Sequence, residues 1–408
     1  MNLFQSTFRK LRKFKLNWVV PVKSDVVVFD RYATQGILPL LAGIRFSVFE
    51  NQRQMLNVPT ILRMLAKLHI SWIDYCATYI ALCDARVVVT GIDSNPLFYR
   101  LKHRLPGVKF VVVQNGIRGT GSPVRGGDLW TALRTDASIT PSVDVIATFG
   151  PAHSEQYKRH ISCSTIEIGS ARNNQIPIHV RDNSSNRNKI GLISNFDGLP
   201  HDDIFLEEKA SRAVMYLENR PVSAKDYFAA DAQTATMLAE ICQQNDWDLC
   251  IIGRRTSSFP AERRFFERAC GALPFRFISK YSEESSYKEL DQMNLVVSVD
   301  STLGYEMIAR GQRVLFLPLR AKLLGGVEAE QFRFGFPYSF PDEGPFWLST
   351  LETGRVSSRI TQLLSLSNEQ WTSMSLFVLE NLMGNDPGNT KLANVISEVL
   401  DQSSINSD

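Results

Sequence analysis

Short, almost continuously apolar runs alternate along the chain with longer stretches whose apolar positions recur every three or four residues. In the first half the short runs are VVVFD (26–30), RFSVF (45–49), RVVVT (86–90), KFVVVQ (109–114), VIATF (145–149) and TIEIG (165–169). In the second half they are KIGLIS (189–194), DLCIIG (248–253), FRFIS (275–279), LVVSV (295–299) and RVLFLP (313–318). Runs of this length, rich in Val and Ile, suit parallel strands covered on both faces. Stretches 60–82, 151–160, 229–245, 261–270 and 303–310 read as helices. The alternation predicts an α/β protein with parallel sheets and helices on both faces.

Between the two series lies IPIHVRDNSSNRNK (176–189), polar, with Pro177 and an Asn/Ser cluster. It reads as a linker. The expected division is an N-terminal Rossmann-like domain over 1–175, a linker over 176–188, a second Rossmann-like domain over 189–385, and a C-terminal helix and tail over 386–408. The two domains should face each other across a cleft. Residues 367–400 read as two helices parted by Gly384–Gly388, covering a sheet or crossing back to the first domain.

The length of 408 residues agrees with two domains. Hydrophobic residues at 44% and charged residues at 21% are ordinary for a globular chain. A net charge of +3 gives no reason to expect nucleic acid as a partner. The charge is uneven, though. The first 18 residues hold Arg9, Lys10, Arg12, Lys13 and Lys15 and no acid, with Phe4, Phe8, Leu11 and Phe14 at about helical spacing. A short amphipathic helix on an anionic membrane fits this pattern, as does a plain terminal helix. No apolar run follows, so a signal peptide is not expected, and no stretch approaches the roughly 18 apolar residues of a membrane span. Six cysteines without a CxxC pair suit buried thiols in a reducing compartment. The expected location is cytoplasmic, at the inner membrane if the basic segment docks.

In parallel α/β sheets ligands sit beyond the carboxyl ends of strands, so the residues after each run are the candidates. After 295–299 come Asp300, Ser301, Thr302, Leu303, Gly304, Tyr305 and Glu306. Ser301 or Thr302 caps a helix whose free N–H groups suit an anion. Gly304 would let a ligand approach, and Glu306 would accept from ribose hydroxyls. An ordinary capping box is the plainer reading, but the third position is not Glu or Gln. Arg254 and Arg255 follow the 248–253 run and could neutralise phosphate or a carboxylate, or be a solvated basic turn. Lys280 and Tyr281 follow 275–279 in a loop that could hold a base through its backbone groups, and Ser194 ends 189–194.

In the first half Asp30 and Arg31, Gln114 and Asn115, and Arg172 and Asn173 end strands in the same way. They are candidates for substrate contact, or for caps and turns. The Gly-rich loop 116–127 lacks a complete GxGxxG, so it reads as lining an acceptor cleft. Asp197, Asp226 and Asp231 are candidate carboxylates. Asp231, taken to lie in a first helical turn, would be held as an anion by the dipole, or be a plain cap. Asp246-Trp-Asp248 has a metal-binding spelling but precedes its strand, so it reads as a polar loop. No HExxH, GxSxG or GxxxxGK[ST] occurs, and no metal site is expected.

The unit DSTLGYEMIARG (300–311), together with QNGIRG, GSARNN and FAAD…LAEICQQNDWDLCIIGRR, resembles bacterial surface-polysaccharide glycosyltransferases of the GT-B class. The resemblance spans most of the chain. It is strongest to the retaining β-Kdo transferases of O-antigen and capsule assembly. That resemblance implies CMP-Kdo as donor, a glycan acceptor that is lipid-linked, no cofactor, and double displacement through an aspartyl adduct matched here by Asp231. The His-Pro pair of bacterial sialyltransferases is absent from the sequence. Another activated donor on the same fold (CMP-sialic acid, CMP-glycerol or an NDP-sugar) and a non-catalytic nucleotide-sugar-binding scaffold remain the alternatives.

Overall fold

The computed structural model describes residues 15–405 apart from Tyr32, 51–54, 69–70, 123–126, 136–139, 182–186 and 197–210. The basic segment before Lys15, and Asp197, lie outside the described residues.

The first six apolar runs form one parallel sheet. Its strands are β1 (Val26–Phe29), β2 (Phe46–Phe49), β3 (Val87–Thr90), β4 (Lys109–Val113), β5 (Ser142–Thr148) and β6 (Ser162–Glu167). They lie in the order β2-β1-β3-β4-β5-β6, every neighbour parallel. The second sheet holds β7 (Lys189–Ile193), β8 (Asp248–Thr256), β9 (Arg276–Lys280), β10 (Leu295–Ser298) and β11 (Val314–Phe316). Two short strands, β12 (Glu343–Gly344) and β13 (Trp347–Leu348), extend it. The order is β9-β8-β7-β10-β11-β13-β12, and only β12 runs antiparallel. The order in which strands are added reverses at β1/β3 in one sheet and at β7/β10 in the other. Those switch points are where an open parallel sheet leaves a crevice. The molecule is therefore α/β, with two Rossmann-like domains facing across a cleft and helices at the C-terminus.

Four local features depart from the sequence reading. Stretch 60–82 is two helices, Val58–Ala66 and Trp72–Cys83, because Ser71 starts the second by accepting from the Asp74 N–H. A hairpin, Ala213–Leu217 and Arg220–Ser223, has no counterpart in the apolar pattern. Its turn residues Glu218 and Asn219 both take positive φ without a glycine to advertise it. The helix expected from 229 begins at Ala224, capped by Ser223, whose hydroxyl accepts from the Asp226 N–H. Asp231 is thus the eighth residue of that helix, beyond the first turn where a dipole could hold it as an anion.

The last helices divide between the domains. Trp371 and Val378 of the helix Asn368–Asn381 belong to the second core. Leu392 and Ile396 of Thr390–Ile405 pack with Val26, Val28, Val87 and Val89 on the first sheet. The crossing is close: a Cβ on Gly169 would stand 1.9 Å from the Gly384 carbonyl oxygen. Asp246 and Asp248 close the loop before β8, both paired with Arg187, as expected of a polar connection.

Candidate active site

The carboxyl ends of both sheets open into one cavity of about 990 Å³. Its wall carries six cationic side chains, Arg118, Arg172, Arg254, Arg255, Lys280 and Arg333, against two carboxylates, Asp300 and Glu306. Such an excess suits a ligand with phosphate or carboxylate groups.

The β10 turn caps its helix as the sequence suggested. Ser301 caps the helix Thr302–Ala309, accepting from the Leu303 N–H at 3.4 Å, and Ser301 and Thr302 line the cavity. Glu306 lines it too, its Oε2 accepting from the Tyr287 hydroxyl. Burial raises the Glu306 carboxyl above the usual range. Gly304 has a different role from the one expected. A Cβ there would meet the Ser298 Cβ at 2.8 Å and the Phe316 ring at 2.9 Å, so glycine lets the helix sit against its own sheet.

The other second-domain candidates also reach the wall. Lys280 pairs with Glu283 at 3.0 Å, and Arg254 projects from the end of β8. Ser194 is buried and donates to Glu262 Oε1 at 2.5 Å. Glu262 also accepts from the Arg254 and Arg255 backbone N–H groups, which fixes the basic turn.

Of the first-domain candidates, Gln114, Asn115 and Arg172 line the cavity. Gln114 is held between the Phe149 N–H and the Gly116 carbonyl, and Asn115 donates to the Gly91 carbonyl at 2.5 Å. Arg172 lies over the Tyr287 ring and reaches Glu283. Asp30, Arg31 and Asn173 do not line the cavity. Asp30 is buried at positive φ, and Arg31 is exposed beside Glu50 at 3.7 Å. Asn173 accepts from Arg310 at 3.1 Å, within a clamp in which Arg310 also grips Asp291 and the Ile176 and Pro177 carbonyls. The clamp ties the start of the linker to the second domain.

Asp231 lies behind the wall rather than on it. It is 1% exposed and accepts from Arg320 Nη2 at 2.9 Å. Its Oδ1 makes no hydrogen bond of normal geometry, although the Asn195 backbone N–H is close enough to favour its charge. Burial outweighs Arg320 and raises the Asp231 carboxyl. The same guanidinium donates from Nε to Asp300 Oδ2 at 2.6 Å and lies 4.1 Å from the Tyr227 ring centroid. Asp231, Arg320 and Asp300 form one buried line that surfaces at Asp300 and Tyr227. On the opposite side Arg118 meets the fully buried Asp93, which also accepts from Tyr157. Arg320, Tyr227, Tyr287 and Arg118 are functional candidates that the sequence alone does not single out, although Arg118 lies within QNGIRG; Asp300 opens the DSTLG turn that the sequence does mark.

Among the described residues, no three His, Cys, Asp or Glu side chains are grouped closely enough to hold a metal ion.

A family model described as "putative O-antigen biosynthesis protein" matches residues 111–400. The chain belongs to this O-antigen biosynthesis family. No curated protein matches the sequence. Three solved structures show the fold more widely. The Staphylococcus aureus MnaA–UDP complex is 9% identical, covering 93% of this chain and 97% of its own, with a TM-score of 0.53. The wall teichoic acid polymerase TagF, as the H444N variant with CDPG, is 10% identical over 98% of each chain, TM-score 0.53. Sucrose-phosphate synthase from Thermosynechococcus elongatus is 12% identical, covering 94% and 100%, TM-score 0.50. The two-domain arrangement of this O-antigen family member is thus the GT-B fold. Its matched segment begins inside β4 and takes in the whole second domain, so most of the cavity wall lies within it.

Proposed function

We propose that this O-antigen family member is a retaining glycosyltransferase that moves β-Kdo from CMP-Kdo onto a lipid-linked surface glycan at the cytoplasmic face of the inner membrane. The observation that carries the reading is the shared cavity with its cationic wall and its Ser301-capped helix end. A CMP-sugar acid presents one phosphate and one carboxylate, and Lys280, Arg254 and the N–H groups after Ser301 are suited to them. Glu306 is suited to ribose hydroxyls. MnaA with UDP and TagF with CDPG are both nucleotide-bearing complexes on this fold.

In the first step an aspartate oxygen bonds to the anomeric carbon of Kdo. The bond from that carbon to the phosphate oxygen breaks, and CMP leaves with the electron pair. In the second step the acceptor oxygen bonds to the same carbon and loses its proton, and the carboxylate is released. Asp231 is the proposed nucleophile. Because it lies behind Tyr227 and Arg320, it comes into reach only when these side chains give way. A second reading assigns the attack to Asp300, which is already on the wall.

Incubation with CMP-Kdo, intact-mass measurement and peptide mapping test donor and nucleophile together. A sugar-sized adduct on Asp231, abolished in Asp231→Asn while CMP still raises the melting temperature, is the expected result. An adduct on Asp300 would select the second reading. Stabilisation by UDP or GDP but not CMP would overturn the donor.

A further inference from the structure

Half of the exposed large apolar side chains among the described residues lie in two segments far apart in sequence and joined in space. Strand segment Lys15–Asn17 pairs in parallel with Met55–Asn57, Leu16 opposite Leu56. Asn57 Nδ2 donates to the Val19 carbonyl at 2.7 Å, which holds the following residues beside the helix Val58–Ala66. On that surface Trp18 is 70% exposed, Val22 69%, Leu62 61% and Leu68 86%, with Val20 and Leu65 beside them. The helix explains the pattern. Thr60 and Met64 turn inward, while Leu62 and Leu65 share the outward face. Phe46, on the edge strand β2, is also 41% exposed. Side chains this apolar and this exposed do not stabilise the fold.

The charges within the two segments have one sign. Residues 15–23 and 55–68 contain Lys15, Lys23, Arg63 and Lys67 and no acid. Lys23 is shared with Asp84, while Lys15, Arg63 and Lys67 are exposed. The sequence just before adds Arg9, Lys10, Arg12 and Lys13. Apolar side chains interspersed with long basic ones match a lipid interface. The basic stems lie along the apolar surface with their charges at the headgroups, and a tryptophan fits the boundary.

We propose that this face, built from residues 15–22 and 55–68, docks the protein on an anionic lipid bilayer. The inference rests on the patch alone, so it stands or falls separately from the donor assignment.

Co-sedimentation of the full chain with phosphatidylcholine vesicles, with and without 30 mol% phosphatidylglycerol, is the test. Binding to the anionic vesicles should be at least tenfold stronger and should weaken as salt rises. Arg63→Glu with Lys67→Glu should cost about fivefold or more for each charge. Trp18→Ser with Leu62→Ser should lower binding about tenfold or more, while Val327→Ser, exposed elsewhere, should not. Vesicles should shift wild-type tryptophan emission to the blue, and less so in Trp18→Phe. All these positions are exposed, so melting temperatures should match wild type. Unchanged binding in the patch variants, no preference for anionic lipid, or a wild-type dimer in light scattering that the patch variants abolish would overturn the proposal.

Discussion

Arg320 links a carboxylate behind the cavity wall, Asp231, to one on it, Asp300. It is fully buried and bonded to two carboxylates, so neither of them is left as an unpaired charge. Replacing it with Met should leave both unpaired and cost about 3–5 kcal/mol in urea unfolding; a loss under about 1 kcal/mol would mean the line is not charged as drawn. Glu306 allows a test of opposite sign. Its folded carboxyl is raised by burial, so the stability it contributes is present below its unfolded pKa and lost as pH rises through the folded value. Glu306→Gln keeps an acceptor for Tyr287 and removes that loss. The variant should gain stability relative to wild type as pH rises above the unfolded carboxyl's pKa, by about 1.4 kcal/mol for each tenfold by which folding weakens the acid, and should bind CMP more weakly. A pH-independent difference would contradict the assignment. The sequence made the polar strand ends visible but not their partners. Arg320 bonds Asp231 across 89 positions, and Glu262 bonds Ser194 across 68. Placement of Asp231 failed for a local reason: its helix start follows a hairpin whose turn, Glu218–Asn219, has no glycine signal.

At the scale of elements, the β10–helix unit was the most legible part of the chain, because a buried strand, a hydroxyl cap and a helix follow one another within 15 residues. The strands were legible as well, since burial on both faces writes itself as unbroken apolar runs. What the local pattern could not reveal was why Gly304 is glycine. Gly304→Ala gains helix propensity of about 1 kcal/mol, but the new methyl would press on Ser298 and Phe316. Overpacking of this kind costs about 1–3 kcal/mol. The net change in urea unfolding should therefore be a loss, accompanied by weaker CMP binding as the capped end moves away from the cavity. A variant as stable as wild type with unchanged nucleotide affinity would show that the helix can retreat freely.

The whole molecule is held together by more than its cleft. Arg310 clamps the linker, a bridge joins Ser122 of the first domain's Gly-rich loop to Tyr216 of the second-domain hairpin, and the C-terminal helix returns to the first sheet. The sequence left that last helix with two possible destinations, because an apolar face alone does not say which sheet it covers. The crossing is decided by contacts that only a folded chain supplies. Asn389 Nδ2 donates to the Gly36 and Ala171 carbonyls at 3.1 and 2.8 Å, and Arg86 donates to the Leu400 carbonyl at 2.6 Å. The first domain is thus completed by residues from the far end of the chain. Ending the chain at Asn385 should strip the cover from Val26, Val28, Val87 and Val89. Loss of Leu392 and Ile396 burial alone should cost about 3–6 kcal/mol. The second core keeps its own helices, so the damage should be confined to one domain. Calorimetry of the truncated protein should show the first domain melting earlier and separately, with binding of an apolar dye. CMP should still raise the later transition, because Ser301, Thr302 and Lys280 remain in an intact domain. A single transition near the full-length midpoint would instead mean that the helix only rests on the first sheet, and that the two domains are coupled mainly through the Arg310 clamp.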